Sequence, residues 1–281
     1  MAQTLPVSAP PQNPPPPSKK PGAADGFRAL FSGFGFVIGR PSIWPLSFIP
    51  LAVALILLGL FCYAALSLVP GQIDHLFAAK RGTWTGIAAA ALKIIATALS
   101  LLVAALLAFG LAQPLSGPAL ERIVRRAEAH LGVAPWPKTS FLEDILRSLQ
   151  GVLVGYALAL PLLALLFLVD FIFPPAAVVT FPLKLIVTAL LIAWDLCDYP
   201  LSIRGLRIGH RLWLLGRHFR AVLGFGAALS LLSLLPCALL LVLPAGVAGA
   251  AHLIWKIENY EKALRGAAAK SSENIAGDRL A

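Results

Sequence analysis

The stretch WPLSFIPLAVALILLGLFCYAALSLV, residues 44–69, decides the fold: it holds no charged side chain and opens on a tryptophan. As a helix rising about 1.5 Å per residue it outreaches a hydrocarbon core roughly 30 Å thick, and tryptophan suits the interface where such a segment begins. Neither this stretch nor LLVAALLAFGL at residues 101–111 shows the apolar-polar alternation that a transmembrane β-barrel strand requires. The stretch therefore reads as the first span of a polytopic, all-α integral membrane protein. A second span covers residues 84–112 and again opens on tryptophan. The whole chain agrees: of 281 residues 58% are hydrophobic and 13% charged, and the mean hydropathy is +0.82, far above that of soluble domains.

A formal net charge of +10 would point to nucleic acid in a soluble protein. Here the basic residues flank apolar runs, where the cytoplasmic bias of Lys and Arg and anionic headgroups of the lipid bilayer account for them, so no nucleic acid partner is expected. Lys and Arg together number four before residue 44, five in 113–150, five in 198–220 and five after 255, but two in 70–83. The four richer regions, and with them both termini, are placed on the cytoplasmic side.

Residues 1–26, which include LPVSAPPQNPPPPSKKPGAAD, read as a disordered Pro-rich tail that cannot bury a core. They do not read as a secretory signal, because the first apolar run starts only near Ile43. Residues 27–258 form the membrane domain and 259–281 a polar C-terminal tail. After the second span, PALERIVRRAEAHLG at 118–132 is amphipathic, setting Leu120, Ile123, Val124, Ala127 and Leu131 opposite Glu121, Arg125 and Glu128. It is expected to lie on the membrane surface, followed by a second surface helix capped at Thr139 or Ser140 with Glu143 in its first turn.

The remaining apolar regions differ from the first pair. Residues 151–173 and 176–197 are joined by FIFPPAAVVTFPLK, whose tip from Phe171 to Leu183 is uncharged. The run 221–255 would be a helix of about 52 Å, but Pro236 and Pro244 are expected to break it into arms of roughly 15 and 11 residues, too short to span. The expected architecture is two long transmembrane helices, then two Pro-broken, re-entrant helical hairpins with amphipathic surface helices. Non-helical backbone at membrane depth needs protein cover, which points to a homo-oligomer.

Charges within apolar segments each ask for a reason, at about 2.5–3.5 kcal/mol per group on insertion scales. Lys93 lies nine residues into the second span and is expected to snorkel. Asp170 and Lys184 flank the uncharged tip; two readings stand, that each reaches a nearby interface independently or that they meet across the hairpin as an ion pair. In LLIAWDLCDYPLSIRGLR, residues 190–207, Asp195 and Asp198 share a helix face, and Arg204 and Arg207 repeat that spacing beyond Pro200. Two readings stand: an interfacial salt-bridge network, or an anion entrance in which the carboxylates orient the arginines. Glycines in GFGAAL and PAGVAGAAHLIW suit close helix packing.

Motifs for other chemistry are missing from the sequence. There is no phosphate-binding loop, and Cys62, Cys197 and Cys237 show no disulfide or zinc spacing. The histidines His75, His130, His210, His218 and His252 are scattered, His210 and His218 reading as solvated or headgroup-facing. Neither an enzyme nor a cofactor is expected.

PLSGPALERIV, then WDLCDYPLSIRGL, then GFGAALSLLSLLPCALLLVLPAGVAGAAHLIW, in this order and spacing, resemble the CysZ sulfate permeases and their etoposide-induced membrane protein relatives over residues 27–258. The resemblance implies an oligomeric inner-membrane protein with partly penetrating hairpins that passes sulfate inward. In the permeases a Gly-Leu-Arg-Arg type motif near the first long segment is linked to sulfate binding. The matching region here reads GRPSIWPLSFIP, with Ser42, Ile43, Trp44 and Pro45 at the motif positions and only Arg40 nearby. An oxyanion permease would thus rely on Arg40 and Ser42 with Arg204 or Arg207. A non-transporting scaffold or assembly factor would keep the fold without the anion motif.

Overall fold

The computed structural model describes residues 19–77, 83–135, 141–233 and 239–278. Its elements are all helical: α1 (Ala23–Ile38), α2 (Trp44–Phe77), α3 (Thr83–Leu115), α4 (Gly117–His130), α5 (Phe141–Ile172), α6 (Ala177–Ile203), α7 (Ile208–Arg217), α8 (Phe219–Ser233) and α9 (Leu239–Asp278). Short 3-10 turns, Pro41–Ile43 and Pro174–Ala176, precede α2 and α6. Proline in the first turn of each is tolerated because its missing N–H would have had no helical partner there.

Among the described residues four segments are long and apolar enough to cross a membrane: Pro41–His75, Gly86–Leu115, Leu149–Ile172 and Pro174–Ile203. The first two form the anticipated long hairpin. Their apolar windows are only 11% buried within the protein, as befits side chains whose solvent is lipid. Lys93 does not snorkel on its own; its ammonium lies 2.7 Å from Asp74 and ties α3 back to α2. Helix α5 contains 24 residues of spanning length and α6 with its leading turn, Pro174–Ile203, contains 30, so the uncharged tip joins two arms that each reach the roughly 20 residues a crossing needs.

The packed core lies elsewhere, where α1, α4, α8, α9 and the last turns of α6 meet. Helix α1 starts at Ala23, within the stretch read as tail, and its Gly22 N–H is held by Asp25 at 2.8 Å. It packs through glycine: a Cβ on Gly33 would sit 2.1 Å from the Ala245 carbonyl oxygen, and one on Gly26 1.9 Å from that of Ala221. Gly226 likewise seats α8 on α6, with a Cβ there falling 2.0 Å from the Ala189 oxygen. The glycine-rich segments therefore serve close helix approach. Backbones at this distance gain dispersion and carbonyl contacts that larger side chains would prevent.

Two expectations are corrected. Pro244 does not end a helix; it is the sixth residue of α9, which runs on for 40 residues to Asp278 and makes most of the polar tail helical. At that position the proline costs α9 one early i→i−4 bond, which the packing of the helix on α1, α4 and α6 outweighs. Pro236 and the expected cap at Thr139 or Ser140 lie outside the described residues. Second, the polar flank of α4 is only partly turned outward: Arg122, Arg126, Ala129 and His130 are exposed, but Glu121 and Glu128, assigned to that flank, are each 2% exposed. For Glu128 what permits this is a buried cation described next.

Candidate anion-binding site

Helix α1 ends at Gly39, whose N–H closes on the Gly35 carbonyl at 3.0 Å. The chain then turns sharply into α2. Ile43 fills the core at 1% exposure, and the Trp44 indole donates to the Val37 carbonyl at 3.1 Å. This corner presents Arg40. Its guanidinium carbon lies 4.4 Å from the Phe36 ring centre, and Nη2 donates to His130 Nδ1 at 2.9 Å. Because Arg only donates, Nδ1 is an acceptor and the neutral His130 proton sits on Nε2.

His252 of α9 completes the group. Its Nδ1 donates to the Ala248 carbonyl at 2.8 Å, and its ring centre lies 6.2 Å from that of Phe36. Arg40, His130 and His252, with Ser32, Gly35, Phe36 and Gly39, line a cavity of about 260 Å³ without a carboxylate. A polar concavity of this size with only cationic or neutral nitrogen groups attracts anions and repels cations.

Of the four arginine and serine positions expected to bind an anion, only Arg40 reaches this cavity. Ser42 offers a backbone carbonyl instead, accepting from Arg126 Nη1 at 2.8 Å. Arg204 is enclosed at 2% side-chain exposure, with Nη2 2.6 Å from Glu128 and Nη1 bonded to Glu258. A guanidinium saturated by two carboxylates has no charge left for a ligand. Arg207 is exposed and begins α7 with its backbone, away from the cavity.

The supporting carboxylates also take other partners. Asp195 accepts from Gln113 Nε2 at 2.6 Å, and Asp198 pairs with Arg211 Nη1 at 2.6 Å. Arg211 additionally donates its Nε to the Leu206 carbonyl at 2.6 Å, which folds α7 back on the end of α6. Of residues 190–207, Asp198 and Arg204 thus join salt bridges and Asp195 a hydrogen bond, with partners from α3, α4, α7 and α9 rather than from within the stretch. At the hairpin tip the structure does bring Asp170 and Lys184 together. Thr180 also bonds to Asp170, and the Lys184 ammonium lies 4.1 Å from the Phe167 ring centre.

His218, read as solvated, is wholly buried between α7 and α8. Its Nε2 lies 2.8 Å from Glu261 Oε1, which also accepts from Arg217 Nε at 2.8 Å. A family model described as Sulfate transporter CysZ/Etoposide-induced protein 2.4 matches residues 29–244, from α1 into α9. The chain belongs to this family. No curated protein matches it. As a CysZ-family protein it is a membrane protein, and the matched region takes in every helix that builds the cavity except the part of α9 carrying His252. Sequence reading missed His130 and His252 because they lie 122 positions apart and only the packing of α4 and α9 on α1 unites them.

Proposed function

We propose that this CysZ-family protein passes a small tetrahedral oxyanion, sulfate or a close chemical relative, across the bacterial inner membrane, binding it in the cavity of Arg40, His130 and His252. The observation that carries the reading is the cavity's lining: one permanent cation, two imidazoles and no carboxylate. Two histidines would do the work of the missing motif arginines. Both termini face the cytoplasm in this reading, and the run that begins with α8 is read as a re-entrant arm because Pro236 interrupts it. Such an arm needs cover from neighbouring subunits, so the working unit is a homo-oligomer.

Calorimetric titration of the purified chain with sulfate tests the site. Saturable binding is expected, lost at least tenfold in Arg40→Ala and weakened in His252→Ala, but unchanged in Arg207→Ala. Proteoliposome uptake of labelled sulfate then tests transport. Absence of saturable binding in every form would remove the permease reading.

A second reading, a membrane scaffold, is favoured by one observation. Ile43 and Trp44, at positions where the permeases carry motif residues, are committed to packing and to holding the Val37 carbonyl. Under that reading the fold is kept for its surfaces, and the cavity binds no sulfate.

A further inference from the structure

A groove opens to the lipid side between two helical pairs. Gly155, Leu158, Ala159 and Leu162 form one wall, and their i, i+3, i+4, i+7 spacing marks a single stripe of α5. The facing wall repeats the spacing on α6 from Val187 to Trp194, and Leu215, Gly216 and Phe219 roof it at the α7–α8 corner. The Trp194 N–H is already bonded to the Gly151 carbonyl at 2.9 Å, so its ring faces the groove as an apolar surface. The cavity measures about 280 Å³ and, from eight residues of helix on each wall, runs about 10 Å along the spans.

Its lining selects an occupant. Its walls are apolar side chains along their whole length beside two spanning helices, a lining suited to one slender acyl chain, and a single leaflet is about 15 Å deep. The rim supplies the sign of the headgroup. Between Asp198 and Glu258 the chain contains no acidic residue but five arginines. Arg204 and Arg211 point inward and are neutralised by Glu128, Glu258 and Asp198. Arg220 is exposed beside the roof residue Phe219. Arg217 shares Glu261 with His218 yet keeps 45% side-chain exposure, and it lies 5.4 Å from the Trp213 ring centre. Trp213, itself stacked on His210, marks the interfacial level.

We propose that this groove is a specific lipid site, in which one acyl chain of an anionic phospholipid lies between α5 and α6 and its phosphate is held by Arg217 and Arg220. The chain contributes apolar burial and the arginines a charge-assisted anchor. The site is distinct from the Arg40 cavity and does not depend on what that cavity binds.

Native mass spectrometry of the full chain in micelles tests it, using phosphatidylglycerol and phosphatidylcholine with identical acyl chains. The expected result is at least tenfold tighter retention of phosphatidylglycerol. Arg217→Gln with Arg220→Gln should bring the two lipids within about twofold, and Ala159→Phe, which fills the groove, should lower retention of both. Should Ala159→Phe fold poorly, six-carbon chains on the wild type make the same test and should lose most of the retention. Equal retention of the two headgroups, a preference that survives the double Gln variant, or indifference to both chain length and groove filling would each overturn the proposal. So would a second copy of the chain in place of lipid adducts.

Discussion

Arg204→Met separates a structural cation from a ligand-binding one. In the wild type the guanidinium is 2% exposed and neutralises Glu128, itself 2% exposed, while Glu258 retains 28% side-chain exposure. Without Arg204, Glu258 can turn to water but the buried Glu128 carboxylate loses the cation that neutralises it. Its least costly escape is to take up a proton. For a carboxyl of ordinary pKa near 4.3 that costs about 3.7 kcal/mol at pH 7, within the range of about 3–5 kcal/mol for half-broken buried pairs. Thermal unfolding followed by tryptophan fluorescence in micelles should show a fall on the order of 10 °C. Arg204→Met with Glu128→Gln, which leaves no stranded charge, should recover most of it. The single-variant penalty should shrink by about 1.4 kcal/mol for each pH unit below 7, because protonation becomes cheaper by that amount. A single variant melting within 2 °C of wild type, or a double variant with no recovery, would refute the reasoning. An anion-binding Arg204 would give the opposite pattern, with binding lost and stability kept.

Three further expectations follow from named contacts. Asp170→Asn and Lys184→Met should each lower the melting temperature more than the two together, since each alone leaves an intramembrane charge without its partner; additive losses would contradict the pairing. Gly33→Ala should destabilise by about 1–3 kcal/mol or more through overpacking, because its Cβ would lie 2.1 Å from the Ala245 oxygen, whereas Gly35→Ala, with nothing within 4 Å, should be neutral or slightly stabilising. Equal melting temperatures for the two would contradict the glycine contact. Burial lowers the His218 pKa, over the raising effect of Glu261, and protonation would place a second N–H at Nδ1, which has no partner among the described residues. The unfolded chain then binds the proton first, so stability should fall as pH drops below about 6.5, and His218→Gln should flatten that slope in a melting-temperature series from pH 8 to 5. A wild-type profile without the slope would exclude His218 as its source.

Legibility varied with the range of the interaction. Residues 44–69 and 84–112 were readable as spans because burial in lipid depends only on a run of local apolarity. Asp170 and Lys184 were readable as partners because a hairpin maps sequence symmetry about its tip onto space. Glu128 was misassigned because a carboxylate on an amphipathic helix looks solvated until its cation is known. That cation, Arg204, comes from 76 residues away. His218 was misread for the same reason, its partner Glu261 lying on another helix. Pro244 was weighed as a breaker from its ring alone, while the packing of α9 on α1, α4 and α6 carries the helix through it.

The sequence by itself determined the solvent of this protein and the class of its fold: hydrophobic runs, their lengths and the distribution of arginines are properties of composition and order, and the bilayer reads them directly. Only the tertiary structure decided which charges face ligands and which face each other. Arg40 and Arg204 are equivalent as residues. Packing of α4 and α9 gave one a pair of imidazoles and an open cavity and gave the other two carboxylates in a closed core. In a low-dielectric interior the nearest partner dominates a charge's energy, and nearness between distant segments is set by the fold.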